Sequence, residues 1–199
     1  MENPPARDRM VAGAADMLRR RGLNATSVRE LAKHSGAPLG STYHYFPGGK
    51  SELAAEAVRF ADALTTHRLT KELAGGPLAG LRAFVDFWRT VLLDSDFRAG
   101  CPVLAVSVEE QPDTDDAPRR AAAAAFANWI DLIAHSLRTH GAATETAATT
   151  ATLVVTALEG AVALCRAQRE TTALDRTALA LEAVLESALA GGARATSTN

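Results

Sequence analysis

Apolar residues recur every three or four positions along almost the whole chain, which is the spacing that buries one face of a helix. The first such stretch runs from Val11 to Leu18 and stops at Gly22, where a glycine commonly ends a helix. We therefore predict a first helix over residues 6–21. Strand signals, in which apolar and polar residues alternate, are scarce by comparison. The pattern indicates an all-α protein.

Two short helices follow the first and are separated by a tight turn. Ser27 and Glu30 have the spacing of a capping box, so the second helix begins there and ends near Gly36. Pro38 then stands where a missing backbone N–H costs least, which favours a third helix from Pro38 to Phe46. A short helix, a glycine turn and another short helix form the outline of a helix-turn-helix.

The rest of the chain predicts a larger helical body. A long helix from Lys50 to about Leu73 ends at a Gly-Gly-Pro break. The stretch 101–109 contains strand-forming residues, but Pro102 in a first-turn position favours a short helix. Residues 111–118 are predicted as a loop. The remaining helical stretches are 78–94, 117–140, 144–170 and 175–190.

Composition and charge describe a globular chain with two unlike parts. The 199 residues are 47% apolar and 22% charged, which is enough to bury a core. The net charge of −2 conceals an asymmetry, since residues 1–50 carry eight Lys or Arg against four Asp or Glu. Residues 51–199 carry thirteen against nineteen. The basic N-terminal part is therefore the candidate for an anionic partner.

The sequence gives little support to secretion, membrane insertion or catalysis. The N-terminus has no uninterrupted apolar segment, and the apolar stretch from Leu153 to Cys165 is too short to span a bilayer. Cys101 and Cys165 lie far apart without metal-ligand spacing, so we expect two reduced thiols. Common cofactor and catalytic motifs are missing. We therefore expect a cytoplasmic protein that is not an enzyme, uses no cofactor or metal and binds no membrane.

A concentration of aromatic residues marks the third predicted helix. Tyr43, Tyr45 and Phe46 fall within four positions around His44, in a chain that is only 5% aromatic. In a helix-turn-helix the second helix enters the DNA major groove, and flat rings with O–H or N–H donors can contact phosphates or bases there at low entropy cost. The small residues at 40–42 would form the tip of that helix. An equally good explanation of the cluster alone is that it packs the three short helices together.

At these residues the chain resembles the TetR family of transcriptional regulators. The resemblance is carried by TSVRELAKHSGAPLGSTYHYFPGGKSEL, residues 26–53, and extends back through MVAGAADMLRRRGLNA. It implies an all-α homodimer of about nine helices per chain, whose partners are double-stranded operator DNA and a small-molecule effector. The implied organisation is a helix-turn-helix DNA-binding domain at 1–49, a helical ligand-binding and dimerisation domain at 50–192, and a disordered tail at 193–199.

The resemblance also implies which residues contact DNA. Helix N-termini favour anions, which suits phosphate contacts at residues 26 and 50. The implied phosphate contacts are Thr26, Tyr43, His44 and Lys50, and those facing the bases are Gly40, Ser41 and Tyr43. Ser27, Leu39, Thr42 and Tyr45 complete the predicted DNA-binding set. Leu39 stands where a lysine is frequent in the family, and Thr42 where an aliphatic residue is usual. These departures concern the operator sequence rather than the binding itself.

A second, shorter resemblance points to the subgroup named for the regulators LmrA and YxaF. It is carried by GCPVLAVSVE, residues 100–109, and by the Gly-Gly of FPGGKSEL. It suggests repression of an efflux or catabolic gene that a planar or apolar molecule relieves.

The candidates for a ligand pocket are large side chains suited to an apolar cavity, together with one acid. The acid could orient a ligand or pair with Arg166 or Arg169. They are Phe84, Trp88, Phe97, Cys101, Leu104, Phe126, Trp129, Ile133 and Glu159, and each taken singly fits a core position better.

Small and apolar residues of the last two helices are candidates for a subunit interface. Two such helices from each subunit would make a four-helix interface. The pattern alone fits an intrachain core equally well, and the family resemblance favours dimerisation. The predicted interface residues are Val155, Leu158, Val162, Leu181, Val184, Leu185 and Ala188.

We therefore predict a TetR-type regulator, a repressor that a small apolar or aromatic ligand releases from a palindromic operator. One alternative is a DNA-binding protein without a ligand, which leaves the acidic, aromatic-bearing body unexplained. The other is a helical enzyme, for which the sequence offers no nucleophile with a positioned base.

Overall fold

A computed structural model of the chain describes residues 5–111 and 116–196. Within these residues the chain forms nine α-helices and no β-strand, which confirms the all-α prediction. The helices are α1 (Ala6–Arg21), α2 (Val28–His34), α3 (Leu39–Tyr45), α4 (Gly49–Leu73), α5 (Pro77–Asp94), α6 (Pro102–Ser107), α7 (Ala117–Thr139), α8 (Thr144–Gln168) and α9 (Thr172–Thr196).

Most helices end where the start and stop signals of the sequence predict. α1 has the predicted bounds and stops at Gly22, whose φ of 80° is a conformation that glycine adopts without strain. α3 has Pro38 as its N-cap and Phe46 as its C-cap. α6 is a helix rather than a strand, and Pro102 occupies its first turn as expected.

α9 departs most from its predicted bounds of 175–190. It runs to Thr196, so residues 193–196, predicted as the start of a disordered tail, are helical instead. Alanine and arginine, which make up most of that segment, are among the best helix formers. Residues 197–199 of the predicted tail and 112–115 of the predicted loop lie outside the described part of the chain.

Contacts between residues divide the chain into two compact units. The first contains the residues up to 64 together with 101–125, and the second contains 65–100 together with the residues from 126 onward. α4 and α7 therefore each contribute residues to both units. α6 belongs to the first unit, where it packs against α1. The predicted domain boundary at residue 50 falls inside this first unit.

The core of the first unit holds the three short helices in place. Leu18 of α1, Phe46 and Leu53 of α4 are almost completely buried. Burying a side chain of this size contributes about 1.5–3 kcal/mol to stability. α1 also packs against α2, and Gly13 permits this approach because a Cβ there would overlap the hydroxyl of Ser35. α2 in turn packs against α3.

The residues predicted as a dimer interface lie in the core of the second unit instead. α8 and α9 pack against each other, and α5 packs against both. Six of the seven predicted side chains are buried by this packing, and Val184 is half-buried. The six buried side chains therefore belong to the intrachain core that the pattern also allowed, whereas Val184 keeps part of its surface exposed. The buried six are Val155, Leu158, Val162, Leu181, Leu185 and Ala188.

α8 is long and apolar enough, by length and composition, to cross a membrane. Its 25 residues include the stretch from Leu153 to Cys165 that looked too short to do so in the sequence. Ten residues of α8 are buried within the chain, and the helix packs along α9. Such burial is characteristic of a core helix, which meets the same criteria of length and hydropathy.

Candidate functional site

The N-terminus of α2 is fixed by the predicted capping box. The hydroxyl of Ser27 accepts a hydrogen bond from the backbone N–H of Glu30 at 3.2 Å. The Glu30 carboxylate in turn accepts from the Ser27 backbone N–H at 3.0 Å and from its hydroxyl at 2.8 Å. These two donors hold the pKa of the Glu30 carboxyl below its ordinary value. Ser27 remains exposed, so the capped helix end faces solvent as an anion-binding helix end must.

Thr26 does not present its hydroxyl to solvent, contrary to its predicted role as a phosphate contact. Its side chain is 2% exposed, and Oγ1 donates a hydrogen bond to the carbonyl of Gly22 at 2.7 Å. The hydroxyl therefore closes the turn between α1 and α2 instead of reaching outward. Sequence spacing correctly placed Thr26 beside the helix end but could not give the direction of its side chain.

α3 has an inner and an outer face. Phe46 and Thr42, one turn apart, point into the core and are both fully buried. The side chain of Thr42 therefore points away from the surface predicted to contact DNA, and its hydroxyl has no hydrogen-bond partner among the described residues. Ser41 is half-buried. The side chain of Leu39 lies outside the described part of the chain.

The outer face of α3 carries four more of the predicted DNA contacts, Gly40, Tyr43, His44 and Tyr45. Tyr43 is 56% exposed and Tyr45 is 37% exposed, values that are high for large rings. Gly40 and His44 are exposed beside them, and the rings of His44 and Tyr45 meet edge to face with centroids 5.2 Å apart. Exposed rings carrying O–H and N–H donors match what contact with bases and phosphates requires.

Carboxylates engage several basic side chains of the first unit. Arg19 and Arg20 pair with Asp16 at N···O distances of 2.6 and 3.1 Å. Arg7 pairs with Glu56 at 2.8 Å. These cations are therefore partly neutralised by the protein itself, and counting basic residues overstates the positive charge available to a partner.

Three other cations of the helix-turn-helix region have no ion-pair partner among the described residues. They are Arg29 and Lys33, both exposed on α2, and Lys50 in the first turn of α4. Lys50 was predicted as a phosphate contact, whereas Arg29 and Lys33 were missed. Their i, i+4 spacing places them on one side of α2 and was the available signal, but the sequence alone could not separate paired from unpaired cations.

An aromatic cluster occupies the second unit and brings together four of the predicted pocket residues. Phe84 and Trp88 of α5 lie 6.0 Å apart between ring centroids, and Phe84 meets Trp129 of α7 edge to face at 6.2 Å. Phe126 packs on Trp129 in the same way at 5.5 Å. The indole N–H of Trp88 is buried and has no acceptor within residues 5–111 and 116–196. A buried donor of this kind is costly unless something accepts from it.

A small cavity of about 10 Å3 lies beside this cluster. It has room for roughly one water molecule. Its walls include Phe84 and Ile133 of the predicted pocket set, so the side chains around this point are closely packed. The full lining is Leu69, Leu73, Pro77, Gly80, Leu81, Phe84, Ile133, Val154 and Leu185.

The other predicted pocket residues are more scattered. Phe97 is half-buried in the turn after α5, where its φ is 56°, and Glu159 is 5% exposed on α8. Cys101 and Leu104 belong to the first unit. Arg169, a suggested partner of Glu159, instead pairs with Asp96 at 2.7 Å.

Arg166, the other suggested partner, has a role in the same region. Its guanidinium donates a hydrogen bond to the carbonyl of Arg98 at 3.2 Å. Burial lowers the pKa of Arg166 from its ordinary value, because a partly buried charge is less well solvated.

Two family models match the chain. Residues 11–57 match the model for bacterial regulatory proteins of the tetR family. Residues 77–180 match the model for the C-terminal domain of LmrA/YxaF-like transcriptional regulators. The two matches correspond to the helix-turn-helix region and to most of the helical body.

Individual proteins give the same result. An uncharacterised HTH-type transcriptional regulator of Mycobacterium tuberculosis is 44% identical over 180 residues, which cover 88% of this chain and 90% of that protein. A TetR transcriptional regulator from Legionella pneumophila has the same fold, with a TM-score of 0.81 at 19% identity over 92% of this chain and 98% of that one.

A cysteine mutant of the TetR-family regulator CifR, solved with a 26 bp double-strand operator DNA, also shares the fold. Its TM-score is 0.71 at 22% identity over 93% of this chain and 98% of that one. The two family models and the M. tuberculosis relative carry the assignment. The chain belongs to the TetR family of DNA-binding transcriptional regulators, in its LmrA/YxaF-like group.

Proposed function

We propose that this regulator is a repressor, which binds a palindromic operator as a homodimer and leaves it when a small apolar or aromatic effector binds. Residues 1–49 read the DNA, and residues 50–192 bind the effector and form the dimer. As a DNA-binding regulator it acts in the cytoplasm, without a membrane partner. Its relatives are transcriptional regulators and not enzymes.

The outer face of α3 is the single observation that carries the DNA-binding mechanism. Phe46 and Thr42 anchor the helix in the core, so Tyr43, His44 and Tyr45 are held rigidly toward solvent. A short anchored helix with exposed donors can enter the major groove and meet base edges. Tyrosine is suited to this because its ring is large, stiff and polar at one end.

Phosphates would hold the helix in that groove from both sides. The capped N-terminus of α2 and the first turn of α4 both offer positive dipole ends. Arg29, Lys33 and Lys50 add charges that no described carboxylate neutralises. These contacts would carry affinity without carrying sequence information.

Exposed apolar residues of α8 and α9 support a homodimer. Leu153, Gly160 and Leu164 recur at i, i+7 and i+11, so they form one stripe along α8, and all three are exposed. Leu179 of α9 is 71% exposed. Apart from the backbone of α8 itself, no described atom lies within 4 Å of a Cβ placed on Gly160, which leaves room for a second helix to approach closely. A dimer is needed because one α3 covers too few bases for specificity.

The aromatic cluster of the second unit supports the effector part of the proposal. Phe84, Trp88, Phe126 and Trp129 offer flat apolar contacts, and the unpartnered indole N–H of Trp88 suits an effector with a hydrogen-bond acceptor. The cavity of about 10 Å3 beside the cluster is far too small for such a molecule, so binding at the cluster requires the surrounding side chains to move apart. An effector then weakens DNA binding only through its different affinity for the open and closed forms.

This close packing also favours a second candidate, a DNA-binding regulator without an effector. Titration of the intrinsic fluorescence of Trp88 and Trp129 with a panel of planar aromatic compounds separates the two. The proposal expects a compound that changes the fluorescence and whose affinity falls when operator DNA is present, because linkage is reciprocal. A panel of binders whose affinities are equal with and without DNA supports the second candidate.

Selection of duplexes from a random library with the full chain tests the DNA-binding proposal. We expect enrichment of a palindrome whose half-site centres lie about 34 Å apart, one turn of B-DNA, or a multiple of that distance. Enrichment of single, unpaired half-sites would contradict the homodimer. Failure to enrich any sequence would contradict sequence-specific repression.

A further inference from the structure

The carboxylate of Glu109, in the segment after α6, accepts two hydrogen bonds from the turn between α1 and α2. Oε1 of Glu109 accepts a hydrogen bond from the backbone N–H of Leu23 at 2.7 Å. Oε2 of the same carboxylate accepts from the backbone N–H of Asn24 at 2.5 Å. Hydrogen bonds to an ionised acceptor are stronger than neutral ones, and two from successive amides fix the orientation of the turn.

The turn is built around this carboxylate. Gly22 has a φ of 80°, and a Cβ at that position would overlap Oε1 of Glu109. Glycine is therefore required both by the backbone conformation and by the closeness of the acid. The side-chain amide of Asn24 adds a longer hydrogen bond, 3.4 Å, to the carbonyl of Glu110.

The segment that carries Glu109 is itself held at both sides. The side chain of Gln111 donates to the carbonyl of Val106 at 2.9 Å and accepts from the backbone N–H of Arg119 at 3.0 Å. These bonds join the last turn of α6 to the first turn of α7. α6 also packs against α1, so Glu109 extends from an anchored element rather than from a free loop.

The α1–α2 turn that Glu109 holds leads directly to the DNA-binding surface. The hydroxyl of Thr26 closes the turn by donating to the carbonyl of Gly22, and the next residue, Ser27, caps α2. A displacement at Leu23 and Asn24 must therefore move the capped end of α2 with it.

We propose that Glu109 is a positioning residue for DNA binding, whose carboxylate holds the α1–α2 turn so that α2, and α3 packed against it, meet the DNA in the correct place. This inference rests on the proposed function. It makes a prediction opposite to simple electrostatics. Removing a negative charge from a DNA-binding unit should strengthen binding to a polyanion, whereas loss of positioning should weaken it.

Glu109→Gln and its matched control Glu110→Gln separate the two effects. Both remove one negative charge, at adjacent positions, but the carboxylate that accepts from the backbone N–H groups of Leu23 and Asn24 is that of Glu109. In amide hydrogen exchange on the full chain without DNA, we expect Glu109→Gln to speed exchange at those two amides by about tenfold or more, and Glu110→Gln to leave them unchanged. Equal exchange rates at the two amides in the two variants would show that Glu109 does not hold this turn in solution.

Binding to a duplex selected by the unmodified chain gives the functional arm. We expect about fivefold to tenfold weaker binding for Glu109→Gln and equal or slightly tighter binding for Glu110→Gln. The salt dependence should keep its slope in both variants, because neither residue contacts a phosphate. Tighter binding by both variants would overturn the positioning role. If the unmodified chain selects no duplex, the proposed function fails and the positioning role fails with it. The hydrogen-exchange experiment still tests whether Glu109 holds the turn.

A double-mutant cycle with Gly22→Ala covers the case in which Glu109→Gln folds poorly. The backbone strain of alanine at residue 22 is present with or without Glu109, so it cancels in the cycle. The overlap with the carboxylate does not cancel. We expect Gly22→Ala to weaken DNA binding at least about threefold more in the unmodified background than in Glu109→Ala. Additive effects of the two changes would contradict the proposal.

Discussion

At the scale of single residues, two threonines of the helix-turn-helix show the limit of what sequence spacing can predict. Thr26 and Thr42 are small polar residues beside the α2 end and within α3, and both were predicted to contact DNA. Both are buried. The hydroxyl of Thr26 donates to the carbonyl of Gly22, whereas the hydroxyl of Thr42 has no partner in the part of the chain that the structure describes. The same residue type therefore has opposite energetic consequences at the two positions.

Substitution of each threonine by valine tests this difference. Thr42→Val removes an unpaired buried hydroxyl, so we expect the free energy of unfolding to rise by about 1 kcal/mol. Thr26→Val breaks a buried hydrogen bond and leaves a carbonyl without its donor, so we expect a fall of about 1 kcal/mol. Urea unfolding midpoints measure both. A loss of stability in Thr42→Val as large as that in Thr26→Val would contradict the assignment.

Lys50 allows a similar comparison between two lysines of one helix. Lys50 lies in the first turn of α4 beside the DNA-binding surface, and Lys71 is exposed in the last turn. A lysine that contacts a phosphate releases a counterion, so Lys50→Ala should lower the slope of log affinity against log salt by about 0.9. Lys71→Ala should leave the slope unchanged. The measurement is fluorescence anisotropy of labelled duplex between low and physiological salt, and an unchanged slope for Lys50→Ala would exclude it as a phosphate contact.

At the scale of elements, the sequence predicted where helices begin and end better than which faces they bury. Gly22, the Ser27 capping box and Pro102 mark helix ends through local backbone chemistry, which the sequence contains completely. α8 carries small and apolar residues on several sides, so its pattern did not tell which side meets α9 and which meets solvent. Val155 and Leu158 proved to be core, whereas Leu153 and Leu164 are exposed. The hydrogen bonds of Glu109 to the α1–α2 turn join segments that are far apart in the sequence, so no local sequence pattern predicted them.

The capping box of α2 gives the helix a defined dependence on pH. Ser27 lowers the pKa of Glu30 in the folded protein from the ordinary value of 4.5. A lowered folded pKa means that the carboxylate stabilises the fold above its unfolded pKa, and that this contribution is lost as the pH falls through the folded pKa. We expect Glu30→Gln to be less stable than the unmodified chain at neutral pH, and the difference to vanish in acid. Denaturant unfolding from pH 7 down to about pH 3 measures it, and parallel stability curves would contradict this role of Glu30.

At the scale of the whole molecule, the proposed binding to a palindrome needs two copies of the chain, which present two α3 helices to one DNA. The exposed stripe on α8 is the surface that we propose joins the two copies. Leu164 on α8 and Leu93 on α5 are both 53% exposed, so Leu93 provides a control for a substitution at Leu164. We expect Leu164→Glu to dissociate the dimer by burying a charge in the interface, and Leu93→Glu to leave it intact. Sedimentation equilibrium reports the outcome, and a dimer that survives Leu164→Glu would place the interface elsewhere.

The affinity of the full chain for its selected duplex, compared with a scrambled duplex of the same length and composition, tests the central claim most directly. A regulator that reads bases through the outer face of α3 should prefer the selected duplex by at least about a thousandfold at physiological salt. It should bind with two chains per duplex, and Tyr43→Ala should lower this preference more than Lys50→Ala does. Equal affinity for the two duplexes, or one chain per duplex, would contradict the account.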